Sequence, residues 1–202
     1  MLASSGNLYA DKKSEFHAGI DAAQRGNLKL AKQLFLTAHK KFPGNNTIKL
    51  SLNAVNRGLK HTLNKKAVNY LFKGFYNSLS GQYTSAIDSY SKALEIDPRL
   101  ALAYKERGDA YMKSISVKNL KMSPKSAMDF LAQRSGRLNR QAIRDFDQAI
   151  KLAPSYYEAH MSKGKAYGNL AINTRPNSLA EQMLHKKEKD CYKQAAGIKS
   201  KL

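Results

Sequence analysis

Three stretches of this chain can be laid on one another with their prolines in register. They are EFHAGIDAAQRGNLKLAKQLFLTAHKKFP ending at Pro43, YLFKGFYNSLSGQYTSAIDSYSKALEIDP ending at Pro98, and AYKERGDAYMK joined to NRQAIRDFDQAIKLAP ending at Pro154. A fourth opening, YYEAHMSKGKAYGNL, follows directly. Such repetition constrains a fold more than any other feature, because a short unit cannot bury its apolar face alone and must stack on its neighbour. The shared positions have physical roles. Gly19, Gly74, Gly108 and Gly164 each fall midway through a helical stretch. A glycine there costs about 1 kcal/mol of helix propensity and lets a second helix approach closely. Gly26 and Gly81 mark turns, where a positive φ costs glycine little. Ala31, Ala86 and Ala142 come next; Phe35, Tyr90 and Phe146 follow four residues on, and Ala38, Ala93 and Ala149 three after that. Four-three spacing keeps small, large and small side chains on one helical stripe. The prolines end each second helix.

These residues resemble the tetratricopeptide repeat, a helix–turn–helix unit of 34 residues. Segment 67–100 carries the resemblance best, through Tyr70, Gly74, Gly81, Tyr83, Ala86, Tyr90, Ala93 and Pro98. Segment 12–45 follows through Gly19, Gly26, Ala31, Phe35, Ala38 and Pro43. The resemblance implies an all-α right-handed solenoid of about ten helices over residues 12–202, with a flexible stretch at 1–11. Its units fall at about 12–45, 67–100, 101–156 and 157–197. In the family the first helix of each unit lines a concave groove that takes peptides. Carried over by repeat place, the groove residues here are Phe16 and Ile20; Val68, Leu71, Phe72 and Phe75; Leu102, Lys105, Asp109 and Met112; and Met161 and Lys165. The family's carboxylate clamp is absent, since its places hold Phe16, Ile20, Phe72, Leu102 and Glu106.

The departures from the repeat are equally readable. An extra helix is expected at about 46–60, with Ile48, Leu52, Val55 and Leu59 on one face and Asn45 or Asn46 to cap it. The stripe Leu71, Phe72, Phe75 has two readings: it lines the groove, or it is buried against this extra helix folded over it. The third unit is 22 residues longer than one repeat, with the insertion at about 114–136. Within it Ser123 and Pro124 read as a helix start, and Ala127, Phe130, Leu131 and Arg134 as a short amphipathic helix of its own. In the last unit Pro176 separates a first helix running to about Ile172 from a long polar helix at about 178–196, whose Lys186, Lys187, Lys189 and Lys193 point outward. Asn77 stands where an aromatic or alanine is usual.

Charge bounds the partners. Lys and Arg number 35 against 15 Asp and Glu, a formal +20 spread along the whole chain. That field favours an acidic partner or another polyanion, or forms a solvated coat. Arg137, Arg140 and Arg144 share one helical face and are the candidate polyanion stripe, in a basic stretch from Lys118 to Arg144 that also carries Lys121, Lys125 and Arg134. Cys191 is the single cysteine, so no internal disulfide or thiolate cluster forms; a structural or incidental thiol is expected, with a pKa lowered by nearby Lys187 and Lys189 as the minor alternative. No two histidines stand four apart, and no phosphate loop or nucleophile motif appears, so no cofactor, metal or catalysis is expected. His160 reads as a packed histidine. No apolar run spans a membrane, and the first residues lack a signal peptide's apolar core; a cytoplasmic protein is expected, with a mature exported chain as the other possibility. The resulting expectation is a non-catalytic adaptor or chaperone-like binder of a protein segment, with a basic solenoid binding nucleic acid or another polyanion as the alternative.

Overall fold

The computed structural model describes residues 14–115 and 124–200, and every regular element among them is an α-helix. They fall into two compact units, one reaching to Pro98 and the other beginning at Arg99. The expected flexible stretch at 1–11 lies outside the described residues, as do Lys118, Lys121 and Ser123.

The first unit holds α1 (Glu15–Gln24), α2 (Leu28–Lys41), α3 (Asn46–Leu59), α4 (Lys65–Leu79) and α5 (Tyr83–Ile96). Short polar side chains start most of them by taking an amide that has no partner inside the helix. Ser14 Oγ accepts from the His17 amide, Asn27 Oδ1 from Leu30, Asn45 Oδ1 from Ile48 and Asn64 Oδ1 from Lys66. Gly26 (φ +81°) and Gly81 (φ +74°) turn the chain between α1 and α2 and between α4 and α5. Helix α1 packs on α2, α4 on α5, and α4 on α1. One chain of rings runs through this core. Phe35 lies 5.5 Å from Phe16 and 5.4 Å from Phe72, Phe75 lies 6.0 Å from Phe16 and 5.9 Å from Phe72, and Tyr90 closes on Phe75 edge-on at 6.0 Å. Burying rings this size contributes more than any other side chains of the unit.

The extra helix α3 lies along α2, capped by Asn45 and not Asn46. Gly58 wedges it against Leu28 and Val68. Arg57 Nη2 reaches Asp97 Oδ2 at 2.9 Å, tying α3 to the end of α5. The stripe Leu71, Phe72, Phe75 is therefore buried, but the rings around it come from α1, α2 and α5. Asn77 is also buried, and donates to Ser89 Oγ at 3.3 Å.

The second unit holds α6 (Ala101–Lys113), α7 (Pro124–Leu152), α8 (Tyr157–Ile172) and α9 (Leu179–Lys199). Here the sequence expectation is corrected. The insertion does not form a helix of its own; its described part is continuous with the second helix of the repeat, giving α7 29 residues. The described residues thus hold nine helices, not about ten. Gly136 alone cannot break a helix. Leu131, Leu138, Ala142, Phe146 and Ala149 recur at seven, four, four and three, so one buried or half-buried face runs through the junction. Ala142, Ile143, Phe146, Ala166 and Leu170 form the core, with Tyr111, Met112, Tyr167 and Leu184 half-buried against it.

One joint is repeated in every hairpin. A Cβ at Gly19 would stand 2.5 Å from Phe35, at Gly74 2.5 Å from Tyr90, at Gly108 2.6 Å from Phe146 and at Gly164 2.5 Å from Tyr192. Each glycine of a first helix is the seat for an aromatic ring of the second. Sixteen residues separate the partners in the first two joints and 38 in the third, so the insertion lengthens the loop and leaves the joint intact.

Candidate functional site

The groove residues named from the repeat register fall into two groups. Phe16, Ile20, Val68, Leu71 and Phe72 are 0% exposed and Phe75 is 1% exposed. They offer a ligand no surface, because the aromatic chain of the first unit consumes the face that would have lined a groove. In the second unit Leu102 is 2% and Lys105 4% exposed. Met112 is half-buried against the core, Asp109 and Met161 are half-buried, and Lys165 is exposed.

Lys105 is held rather than offered. Its Nζ donates to Glu106 Oε1 at 2.9 Å and reaches Asp109 Oδ2 at 3.0 Å. Burial raises the pKa of Glu106 above the ordinary glutamate value; Lys105 opposes this and the neighbouring Asp109 adds to it. Asp109 Oδ1 is buried with no hydrogen-bond partner. Nearby, Arg107 grips Asp145 with two bonds of 2.8 Å, from Nε to Oδ2 and from Nη2 to Oδ1. Burial nonetheless raises the Asp145 pKa, because removing a carboxylate from water outweighs the guanidinium beside it. Lys163 pairs with Asp147 at 2.6 Å; burial works to lower its pKa, and this bond leaves it above the ordinary lysine value.

The positive stripe occupies a different position. Arg137, Arg140 and Arg144 are exposed on α7, and Arg134 half-exposed. No carboxylate pairs with Arg134, Arg137 or Arg140 among the described residues, since Asp145 and Asp147 of the same helix are turned to Arg107 and Lys163. Two clefts flank this ridge. One, of about 380 Å³, is lined by Ala132, Gln133, Gly136, Arg140, Leu170, Asn173, Thr174 and Leu184. The other, of about 240 Å³, is lined by Phe130, Gln133, Arg134 and Arg137. A polar ladder fixes the α7 half that carries them. Asn139 Nδ2 donates to the Ser135 carbonyl at 2.9 Å, Asn169 Nδ2 to Asn139 Oδ1 at 3.3 Å, and Asn173 Nδ2 to Ser135 Oγ at 3.4 Å. The sequence marked the arginines and Phe130. It did not mark Leu170 of α8, Asn173 and Thr174 just beyond its end, or Leu184 of α9, which join the cleft only through tertiary packing. The side chains of Lys125 and Ala127 lie outside the described residues.

Two further expectations meet the structure. Cys191 is buried on α9, and burial raises its pKa; the lysine that opposes this is Lys163 from α8, not Lys187 or Lys189. His160 is 6% exposed, with Nε2 3.0 Å from the Pro154 carbonyl. Among the described residues no helix is long and apolar enough to cross a membrane, and no group of three metal-ligating side chains gathers.

Comparison with known proteins bears on the fold. A family model described as a TPR repeat matches residues 79–114, from the end of α4 through α5 and α6. Two solved crystal structures of MamA protein are similar. One is 18% identical, with 93% of this chain and 91% of that chain covered; the other is 19% identical, with 91% and 95% covered; each has a TM-score of 0.46. No curated protein sequence matches the chain. The family model thus identifies a TPR repeat over residues 79–114, and the glycine–aromatic joint whose ring lies there, Gly74 with Tyr90, recurs in the other hairpins.

Proposed function

We propose that this protein is a non-catalytic scaffold that holds a peptide segment of a protein partner. The observation that supports the reading most is the run of repeat hairpins, which in the second unit leaves first-helix side chains at the surface: Asp109, Met112 and Met161 in part, Lys165 fully. Apolar side chains beside fixed charges suit a peptide that carries both. The groove of this reading is confined to the second unit, because Leu71, Phe72 and their neighbours are spent on the core of the first. The test is capture from host lysate at about 0.3 M salt after nuclease treatment, where phosphate-driven binding has largely washed off. Wild-type protein retains a discrete partner, and Met161→Glu with Lys165→Glu releases it while helicity is unchanged. Equal capture by the variant refutes the groove.

A second reading has its own observation, the exposed arginines of α7. A solenoid that binds nucleic acid or another polyanion through Arg137, Arg140 and Arg144 loses affinity steeply with salt, and neutralising the three flattens that slope. An unchanged slope removes this reading.

A further inference from the structure

The arginine ridge differs from an open basic face in that an apolar-floored cleft lies on one side of it and a cleft holding a half-exposed ring on the other. Positions 133, 137, 140 and 144 fall within about 60° of one another around the helix axis. Gln133 lines both clefts. Leu170, Leu184 and Ala132 floor the larger cleft, with Arg140 on its lip. Phe130, 39% exposed, stands in the smaller one with Arg134 and Arg137. The acidic groups of the surrounding elements are otherwise engaged. Asp145 is bonded to Arg107, Asp147 to Lys163, Glu188 to His185, and Glu181 to the Asn177 amide; Asp129, one turn ahead of Gln133, is left exposed, as is Asp190, which lines a separate cleft on α9. The site therefore presents cationic hydrogen-bond donors and apolar recesses with few anions of its own.

We propose that the α7 ridge and its two clefts are a docking site for an acidic amphipathic helix of a partner protein, separate from the first-helix groove. The inference rests on the protein-binding reading above. Arg137 and Arg144 are seven residues apart, about 10 Å along the axis. Carboxylates at three- and four-residue spacing on a partner helix meet that interval, and the guanidinium fork binds them with two bonds each. Apolar side chains on the adjacent face of the same helix enter the recesses, which is how a helix in a groove gains both register and affinity. A nucleic acid would use the charge and leave the aliphatic recess of Leu170 and Leu184 unused, since its bases call for aromatic platforms and Phe130 is the one ring lining either cleft.

The probe is a short synthetic helical peptide with glutamates at three- and four-residue spacing and leucines on the neighbouring face, followed by fluorescence anisotropy at about 0.15 M salt. Its partners are the same peptide with alanine for leucine, and a single-stranded poly-dT of similar charge. The wild-type protein binds the leucine peptide best. Arg137→Glu with Arg140→Glu weakens it by roughly tenfold or more. Ala132→Phe, which narrows the larger cleft and leaves the charge alone, weakens it as well, and so does Gln133→Glu, an exposed change that disturbs no packing; circular dichroism verifies the fold of each. Equal binding of the alanine peptide, equal binding by Ala132→Phe and Gln133→Glu, or tighter binding of poly-dT overturns the proposal and leaves a general polyanion face. Failure of the leucine peptide to bind wild-type protein also overturns it. The scaffold reading is judged separately, by lysate capture with the Lys165 variant.

Discussion

Replacing Gly74 by alanine tests the joint on which every hairpin depends. The new Cβ would stand 2.5 Å, 2.6 Å and 2.8 Å from three carbons of the Tyr90 ring, against about 3.5–4.0 Å for carbon atoms at rest. The ring cannot yield: Tyr90 is 0% exposed, Phe75 lies edge-on to it at 6.0 Å, and its hydroxyl is 3.4 Å from Ser78 Oγ. Helices α4 and α5 must therefore part. Overpacking of this kind costs about 1–3 kcal/mol, and three contacts on a fixed ring put it at the upper end. Alanine returns about 1 kcal/mol of helix propensity. The net loss is about 2 kcal/mol, which lowers the urea midpoint by about 1 M at a slope of about 2 kcal/mol per molar. Urea unfolding followed by circular dichroism measures it. In a Tyr90→Ala background, which lacks all three of those ring carbons, the same change at 74 turns from a cost to a gain of about 1 kcal/mol, because only propensity remains. A Gly74→Ala protein as stable as wild type, or an equal loss in both backgrounds, refutes the reasoning. Gly197, with nothing within 4 Å of a Cβ, provides the contrast: alanine there is neutral or stabilising.

The remaining predictions follow the same logic. Phe72→Ala costs about 3–5 kcal/mol in thermal or urea unfolding, since its ring is wholly buried between Phe35 and Phe75; a groove residue would leave stability almost unchanged. Asp145→Ala, which strands the Arg107 guanidinium, costs about 3 kcal/mol, whereas replacing both partners with apolar residues costs less. Glu106 has a folded-state pKa above its unfolded value, so the folded state binds the extra proton and its stabilisation is fully present below about pH 4.5 and lost as pH rises through the raised pKa. Glu106→Gln removes that dependence, so urea midpoints of wild type and variant converge toward acid and separate in the variant's favour as pH rises; parallel curves would contradict the assignment. Native Cys191 reacts slowly with a disulfide reagent at mildly alkaline pH and rapidly in urea, because burial both shields it and raises its pKa.

The primary structure by itself determined the all-helical class, the hairpin period and the places of the mid-helix glycines and the aromatic stripe. All three follow from local spacing, and a helix obeys spacing wherever it is placed. Gly74 and Tyr90 sit sixteen residues apart for the same reason as Gly19 and Phe35, and the third pair keeps its joint across the insertion because contact, not loop length, selects the partner. Only the tertiary structure decided which apolar faces stayed open. Leu71, Phe72 and Phe75 occupy repeat places that line a groove, yet Phe16 and Phe35 pack into the same space, and no pattern within one helix records what its neighbour brings. The insertion likewise carried the period of a helix without revealing that its described part would join the next one. Whether two helical segments fuse depends on a shared face that a neighbour covers, here running from half-buried Leu131 to Phe146, with Leu170 of α8 packed in the same core as Phe146. The clefts beside the arginine ridge lie along that same continuous helix. Their cations were legible as sequence, while the larger one also takes Leu170 and Leu184 from 30 or more positions beyond Arg140, which only packing could assemble.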